Sequence, residues 1–321
     1  MMMFWDSFNN TAVAVMQVLL LAGVGFFLVK KNIINEDGLN VLSRLLVEVT
    51  MPVLIFCQLI KGFSFSIYPN WWIFPLISIV ITLAGFGVGA AFLKVIKEKG
   101  KKIQFLSLVS FQNSGYLPMA LITTLPIKAG MADTLFIYLF LFLLGFNLVI
   151  WSVGVYLLTA KRTARFELGS LFSPPVIATL LSLLLISLKV QYIIPEAFVK
   201  SLKTLGDCTV PLAMVIVGGN LAMVRLSHVD AKAVGWIVFL KNVLLPGLGI
   251  LLINWLKLPY LLGLLIILEL CMPPATSLSV IIRHYKKEDL LISQGVFFGH
   301  MISVVTIPLF LSLYFVNSMI Q

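Results

Sequence analysis

The chain of 321 residues is 60% hydrophobic and only 11% charged, with a mean hydropathy of +1.06, whereas a soluble domain carries about 25% charged residues. This excludes a water-surrounded globular domain and leaves one integral membrane domain in contact with the lipid bilayer. The formal charge of +10 comes from short Lys/Arg clusters between apolar segments, a pattern of membrane topology and not of nucleic-acid binding.

A helix rising ~1.5 Å per residue needs about 20 residues to span a bilayer, and the sequence offers such segments in succession. The first, about 8–30, lacks a basic residue ahead of its apolar run and is followed by Lys30 and Lys31. A signal peptide has the reverse polarity, so a retained helix with its N-terminus outside is predicted. The second, about 38–60, contains "EVTMP", Glu48 to Pro52. The third, about 71–93, carries "GFGVG", Gly85 to Gly89, a small-xxx-small packing face, with Trp71 and Trp72 as interfacial anchors. The fourth, about 103–126, is interrupted by Gln112, Asn113, Ser114, Gly115 and Pro118. Segments at about 134–159 and 172–189 follow. The seventh, about 197–224, contains "DCTVP", Asp207 to Pro211. The eighth lies at about 233–256. The ninth, about 259–282, breaks at "MPPATS", Met272 to Ser277, and the tenth, about 290–316, holds His300. Cys57, Cys208 and Cys271 fall inside these segments, with no CxxC, and read as packing residues. No metal site or cofactor is expected.

Connectors after odd-numbered segments carry 15 Lys and Arg, in clusters that include Lys94 to Lys102, Lys161 to Arg165, and Arg283 to Lys287, against six in the even ones. The positive-inside rule puts the odd connectors in the cytoplasm and both termini outside. Ten helices divide as five plus five, and an odd number per half inverts the second half in the membrane. The two acid-x-Thr-x-Pro copies and the two breaks recur at matching places in the halves, which predicts inverted repeats over 1–160 and 161–321. Paired interruptions of this kind point to a midplane binding site, since freed backbone groups are tolerated in a bilayer only where they line a cavity or are buried in protein.

Pro118 in one half and Pro273 with Pro274 in the other should unwind their helices. Helices restarting near Met119 and Ala275 would then present free N–H groups and positive dipole ends to an anion. Gln112 and Asn113 can donate from their amides, and Ser114, Thr276 and Ser277 from their hydroxyls. The amides could equally serve as interhelical bonds. Glu48, Asp207 and Glu269 are acids well inside apolar segments, where an uncompensated charge is costly. Arg44, four residues before Glu48, can pair with it. Asp207 and Glu269 are read as having no basic neighbour at helical spacing, which makes them the better candidates for binding a coupling proton or sodium ion. His300 reads as a packing residue that could also transfer protons.

At "NSGYLPMAL", "LGDCTVPLAMVIVGGNLA" and "MPPATSLSVIIRHY" the chain resembles the auxin efflux carrier family, which includes plant hormone exporters and bacterial permeases for malate and malonate. The resemblance spans nearly the whole chain. It implies an all-α membrane carrier of ten helices in two inverted repeats, similar to bile acid/sodium symporters, with broken helices 4 and 9 crossing at the substrate site. It places the crossover asparagine and proline on Asn113 and Pro118, and the helix 9 prolines on Pro273 and Pro274. The short connector Lys161 to Ser170 departs from the large cytoplasmic loop of the longer plant members. A plasma-membrane carrier of small organic anions is the expected function, with a homodimer as an open alternative to a monomer. A receptor binding an organic acid without transport is the rival. An enzyme is not expected, since HExxH, GxSxG and paired catalytic aspartates are lacking.

Overall fold

The computed structural model describes residues 2–128, 130–159, 172–224, 226–284 and 290–320, and within them the only β-type pairing is an isolated antiparallel bridge between Gln112 and Pro274. The connector Lys161 to Ser170 and the charges Arg225, Lys286 and Lys287 lie outside the described residues.

The helices are α1 Met2–Lys30, α2 Glu36–Leu45, α3 Met51–Gly62, α4 Ile73–Ala91, α5 Lys99–Ser110, α6 Tyr116–Thr124, α7 Met131–Val149 and α8 Val155–Thr159. The series continues with α9 Pro174–Ser187, α10 Glu196–Gly206, α11 Thr209–Ala222, α12 Ala231–Phe239, α13 Leu245–Leu256, α14 Tyr260–Cys271, α15 Ser277–His284 and α16 Leu290–Ile320. Among the described residues seven helices are long and apolar enough to cross a membrane. Of the other three predicted segments, α9 is short, and the other two are divided into α5/α6 and α14/α15.

Prolines account for two of the irregular turns. The wide turns Leu46–Thr50 and Leu240–Leu244 each end two residues before a proline, Pro52 and Pro246. A proline ring displaces the carbonyl four residues earlier and supplies no donor to it, so the preceding turn widens into π geometry. Polar residues are carried in these turns, Glu48 in the first and Lys241 with Asn242 in the second.

Glycines set the closest approaches. A Cβ on Gly218 of α11 would lie 1.7 Å from the Ala22 carbonyl oxygen of α1, and one on Gly25 would lie 2.0 Å from that of Val215. The backbones of α1 and α11 therefore touch, and without a hydrophobic drive between helices in lipid such contact is what packs them. In the predicted glycine face of α4, Gly85 and Gly89 meet α5 at Ser110 and Leu106. α1 also packs along α16, α3 against α9 and α10, α4 against α7, and α16 against α12 and α14. At one end of the fold Lys101, before the predicted fourth span, bonds Glu98 at 2.7 Å and Asp230 at 3.0 Å. Lys101 holds the Asp230 carboxyl below the usual carboxylate range, and Asp230 also caps α12 through the Ala233 N–H.

Candidate functional site

Two interrupted helices meet at the centre of the site. α5 closes its last turn with the Phe111 N–H on the Ser107 carbonyl, after which the chain runs extended. α14 ends at Cys271 and Met272 is likewise extended. The two extended stretches pair reciprocally: the Asn113 N–H donates to the Pro273 carbonyl and the Ala275 N–H to the Phe111 carbonyl, each at 2.9 Å. Each broken helix thus satisfies backbone groups that its partner's interruption exposes, as a buried backbone requires. Pro273 and Pro274 have no N–H, so this stretch has two fewer donors to satisfy.

The break positions correct the sequence expectation. The fourth segment restarts at Tyr116, before Pro118 and not after it, and the ninth at Ser277, two residues beyond the expected Ala275. Pro118 is the third residue of α6, within the first turn, where a backbone N–H has no intrahelical partner. Pro118 therefore starts a helix; the unwinding lies before it, at 111–115.

The structure brings together the polar residues expected from the two breaks. Gln112, Asn113, Ser114 and Thr276 are buried, as are Pro118, Pro273 and Pro274, with Ser277 half-buried. Glu269, on α14 just before its break, is 0% exposed, and its carboxyl faces Ser114 and Gln112. Among the described residues, both Glu269 oxygens, both polar atoms of the Gln112 amide and the Ser114 hydroxyl have no partner in full hydrogen-bond geometry. Buried polar groups without a partner are unusual, and five such atoms, on Gln112, Ser114 and Glu269, lie at the interruption.

Family comparison bears on the same residues. A family model described as a membrane transport protein matches residues 11–169 and 159–311. The chain belongs to the auxin efflux carrier family. Protein PIN-LIKES 1 of Arabidopsis thaliana is 22% identical over 94% of this chain and 78% of its own length. Uncharacterized transporters of Methanocaldococcus jannaschii and Methanothermobacter thermautotrophicus are 26% and 25% identical, over 92% and 94% of this chain and 96% and 98% of theirs. This auxin efflux carrier family chain is accordingly a multi-pass membrane transporter.

Three acids had been singled out, and the family member places them differently. Glu48 pairs with Arg44 at 3.2 Å, and both are exposed in the fold. Asp207 is exposed, and Lys203, four residues earlier, reaches its two carboxylate oxygens at 2.7 and 2.8 Å. The expectation of no basic neighbour is corrected here: Lys203 stands at helical spacing on α10. Cys208 is also exposed, unlike the buried Cys57 and Cys271. Glu269 alone of the three sits at the crossover, and a basic group does face it: Lys241, 1% exposed on the wide turn between α12 and α13, lies within electrostatic reach without direct ion-pair contact.

Sequence reasoning passed over Lys241 and Asn242. The signal was available in the charge count: connector clusters account for all of the 23 Lys and Arg except Arg44 and Lys241. A lysine in the middle of an apolar span is a functional-site candidate in itself. Asn242 donates from Nδ2 to the Gly299 carbonyl at 2.8 Å, tying this turn to α16. His300, which reads from the sequence as a packing residue, lies beside the break, with its Nε2 3.4 Å from Asn113 Nδ2.

Proposed function

We propose that this protein is a secondary carrier of small organic anions, carboxylates foremost, working by alternating access around the crossover of its two broken helices. The observation that carries the reading is the reciprocal backbone pairing of 111–113 with 273–275, beside buried donors of Gln112 and Ser114 that have no partner among the described residues. Gln112, Asn113, Ser114, Thr276 and Ser277 would hold the carboxylate beside the N-terminal turns of α6 and α15, where the helix dipole favours an anion. Pro118, Pro273 and Pro274 shape the breaks. The same reading takes the chain as ten spans in two inverted halves, 1–160 and 161–321. One bundle would rock against the other around this crossover. Glu269, facing Gln112 and Ser114, is the leading acid for coupling to a proton or sodium ion, ahead of the ion-paired Asp207 and Glu48.

Thermal unfolding of the purified protein against acetate, malonate, malate and benzoate, with acetamide and ethylamine as neutral and cationic controls, tests the binding half. Ligand that binds only the native state raises the melting temperature by mass action. A rise with at least one carboxylate and none with the controls is expected; equal shifts with acetamide would remove anion selectivity from the account.

The orientation proposed is a plasma-membrane protein with both termini outside. The Lys101–Asp230 pair supports one side for the two connectors it joins. On a background lacking Cys57, Cys208 and Cys271, a cysteine at Lys99 should be labelled by an impermeant reagent only after the membrane is opened. Labelling from outside intact cells would reverse the topology.

A further inference from the structure

We infer that His300 is a positioning residue that fixes the orientation of the Asn113 side-chain amide at the crossover; this rests on the carboxylate reading of the site. The ring's own geometry sets its hydrogen pattern. Nδ1 lies 2.8 Å from the Val296 carbonyl, an oxygen that can only accept, so Nδ1 carries the proton and donates. A neutral imidazole then has Nε2 as an acceptor, and the group facing it at 3.4 Å is Asn113 Nδ2. One amide hydrogen of Asn113 is thereby committed to α16, and the other hydrogen and Oδ1 keep fixed directions.

The ring is held firmly. Its neighbour Gly299 packs on the prolines of the break, where an added Cβ would lie 2.5 Å from Pro274 Cδ. Asn242 grips the Gly299 carbonyl from the wide turn after α12, and the Ser303 hydroxyl donates to the His300 carbonyl at 2.7 Å. On its other side His300, 4% exposed, lines with Ser303 a small cavity of about 30 Å³ between α1, α6, α11 and α16, with Val15, Leu19, Leu117 and Leu221 among its apolar walls. An amide's two ends are nearly the same size, and its orientation follows from its hydrogen-bond partners. Without the ring, Asn113 could turn its carbonyl oxygen toward a carboxylate and repel it. His300 prevents that exchange and acts on the substrate through Asn113.

The test compares the parent with Asn113→Ala, His300→Leu, His300→Gln and the double variant Asn113→Ala/His300→Leu, titrated with malonate and with benzoate. Loss of one neutral hydrogen bond corresponds to a weakening of about threefold to tenfold, and His300→Leu should match Asn113→Ala in this. The double variant should be no weaker than Asn113→Ala. His300→Gln, whose Oε1 can take the place of Nε2 as an acceptor, should bind like the parent. His300→Leu binding like the parent while Asn113→Ala is weakened overturns the inference alone, as do additive losses in the double variant or a His300→Gln as weak as His300→Leu. Asn113→Ala binding like the parent, or a parent that binds none of acetate, malonate, malate and benzoate, overturns the carboxylate reading and this inference with it. A ligand-free measurement covers a variant that fails to fold: among the three histidines, ¹⁵N NMR should show His300 protonated at Nδ1, with its Nε2 resonance displaced by Asn113→Ala. An Nε2 unmoved by that substitution contradicts the proposed contact.

Discussion

Lys241→Met is expected to destabilise the protein by about 3 kcal/mol, and Lys241→Met combined with Glu269→Gln by much less. Lys241 and Glu269 are both fully buried and feel each other electrostatically. Removing the basic partner leaves an acid in a low-dielectric interior with its oxygens unbonded by the fold, whereas removing both charges removes the desolvation penalty as well. Met keeps most of the lysine's length and lets the apolar stem pack as before. Denaturant unfolding in detergent micelles, run on the two single variants and the double, gives the coupling directly. If the double variant loses the sum of the single losses, the two side chains do not compensate each other.

Gly299→Ala should cut transport roughly tenfold, because overpacking a fixed contact costs about 1–3 kcal/mol and each 1.4 kcal/mol is a factor of ten. The added methyl would meet the Pro274 ring at 2.5 Å. That ring cannot step aside without breaking the bonds on either side of it, from Asn113 to Pro273 and from Ala275 to Phe111. Gly87→Ala supplies the control, since nothing stands within 4 Å of a Cβ there and alanine is the better helix former by roughly 0.5–1 kcal/mol. Equal transport by the two variants would mean that the contact between α16 and the break does not matter to the transport cycle.

Much of the helical layout was legible because apolar runs and the charges between them are dictated by the bilayer itself, and the predicted segments coincide with the observed helices to within several residues. Local causes were harder to read. Pro118 looked like the breaker of its helix, yet the third position of a helix tolerates proline, and the unwinding falls on Gln112 to Gly115, which can be held open only because another chain segment offers backbone partners. That partner, 273–275, is remote in sequence, so no local pattern announces the pairing. Asp207 has a simpler explanation: Lys203 stands four residues earlier, in the polar stretch that leads into the apolar run. Lys241 hid inside a span whose hydropathy it barely lowers, and its relation to Glu269 depends on how α12, α13 and α14 pack. The link from His300 to Asn113 likewise needs the packing of α16 on the crossover, although a histidine in a span and an asparagine in a break were each visible alone.

The proposed crossover site binds a carboxylate and moves it across the membrane. Uptake of radiolabelled acetate, malonate, malate and benzoate into proteoliposomes, with the parent, Asn113→Ala and Glu269→Gln at matched insertion, tests it most directly. The account predicts saturable uptake of at least one acid by the parent and uptake weakened by about threefold to tenfold in Asn113→Ala, the loss of one hydrogen bond. It also predicts that Glu269→Gln equilibrates the acid without accumulating it against a gradient. Binding without uptake by the parent would favour a receptor, and uptake by Asn113→Ala equal to the parent's would contradict the placement of the substrate at the crossover.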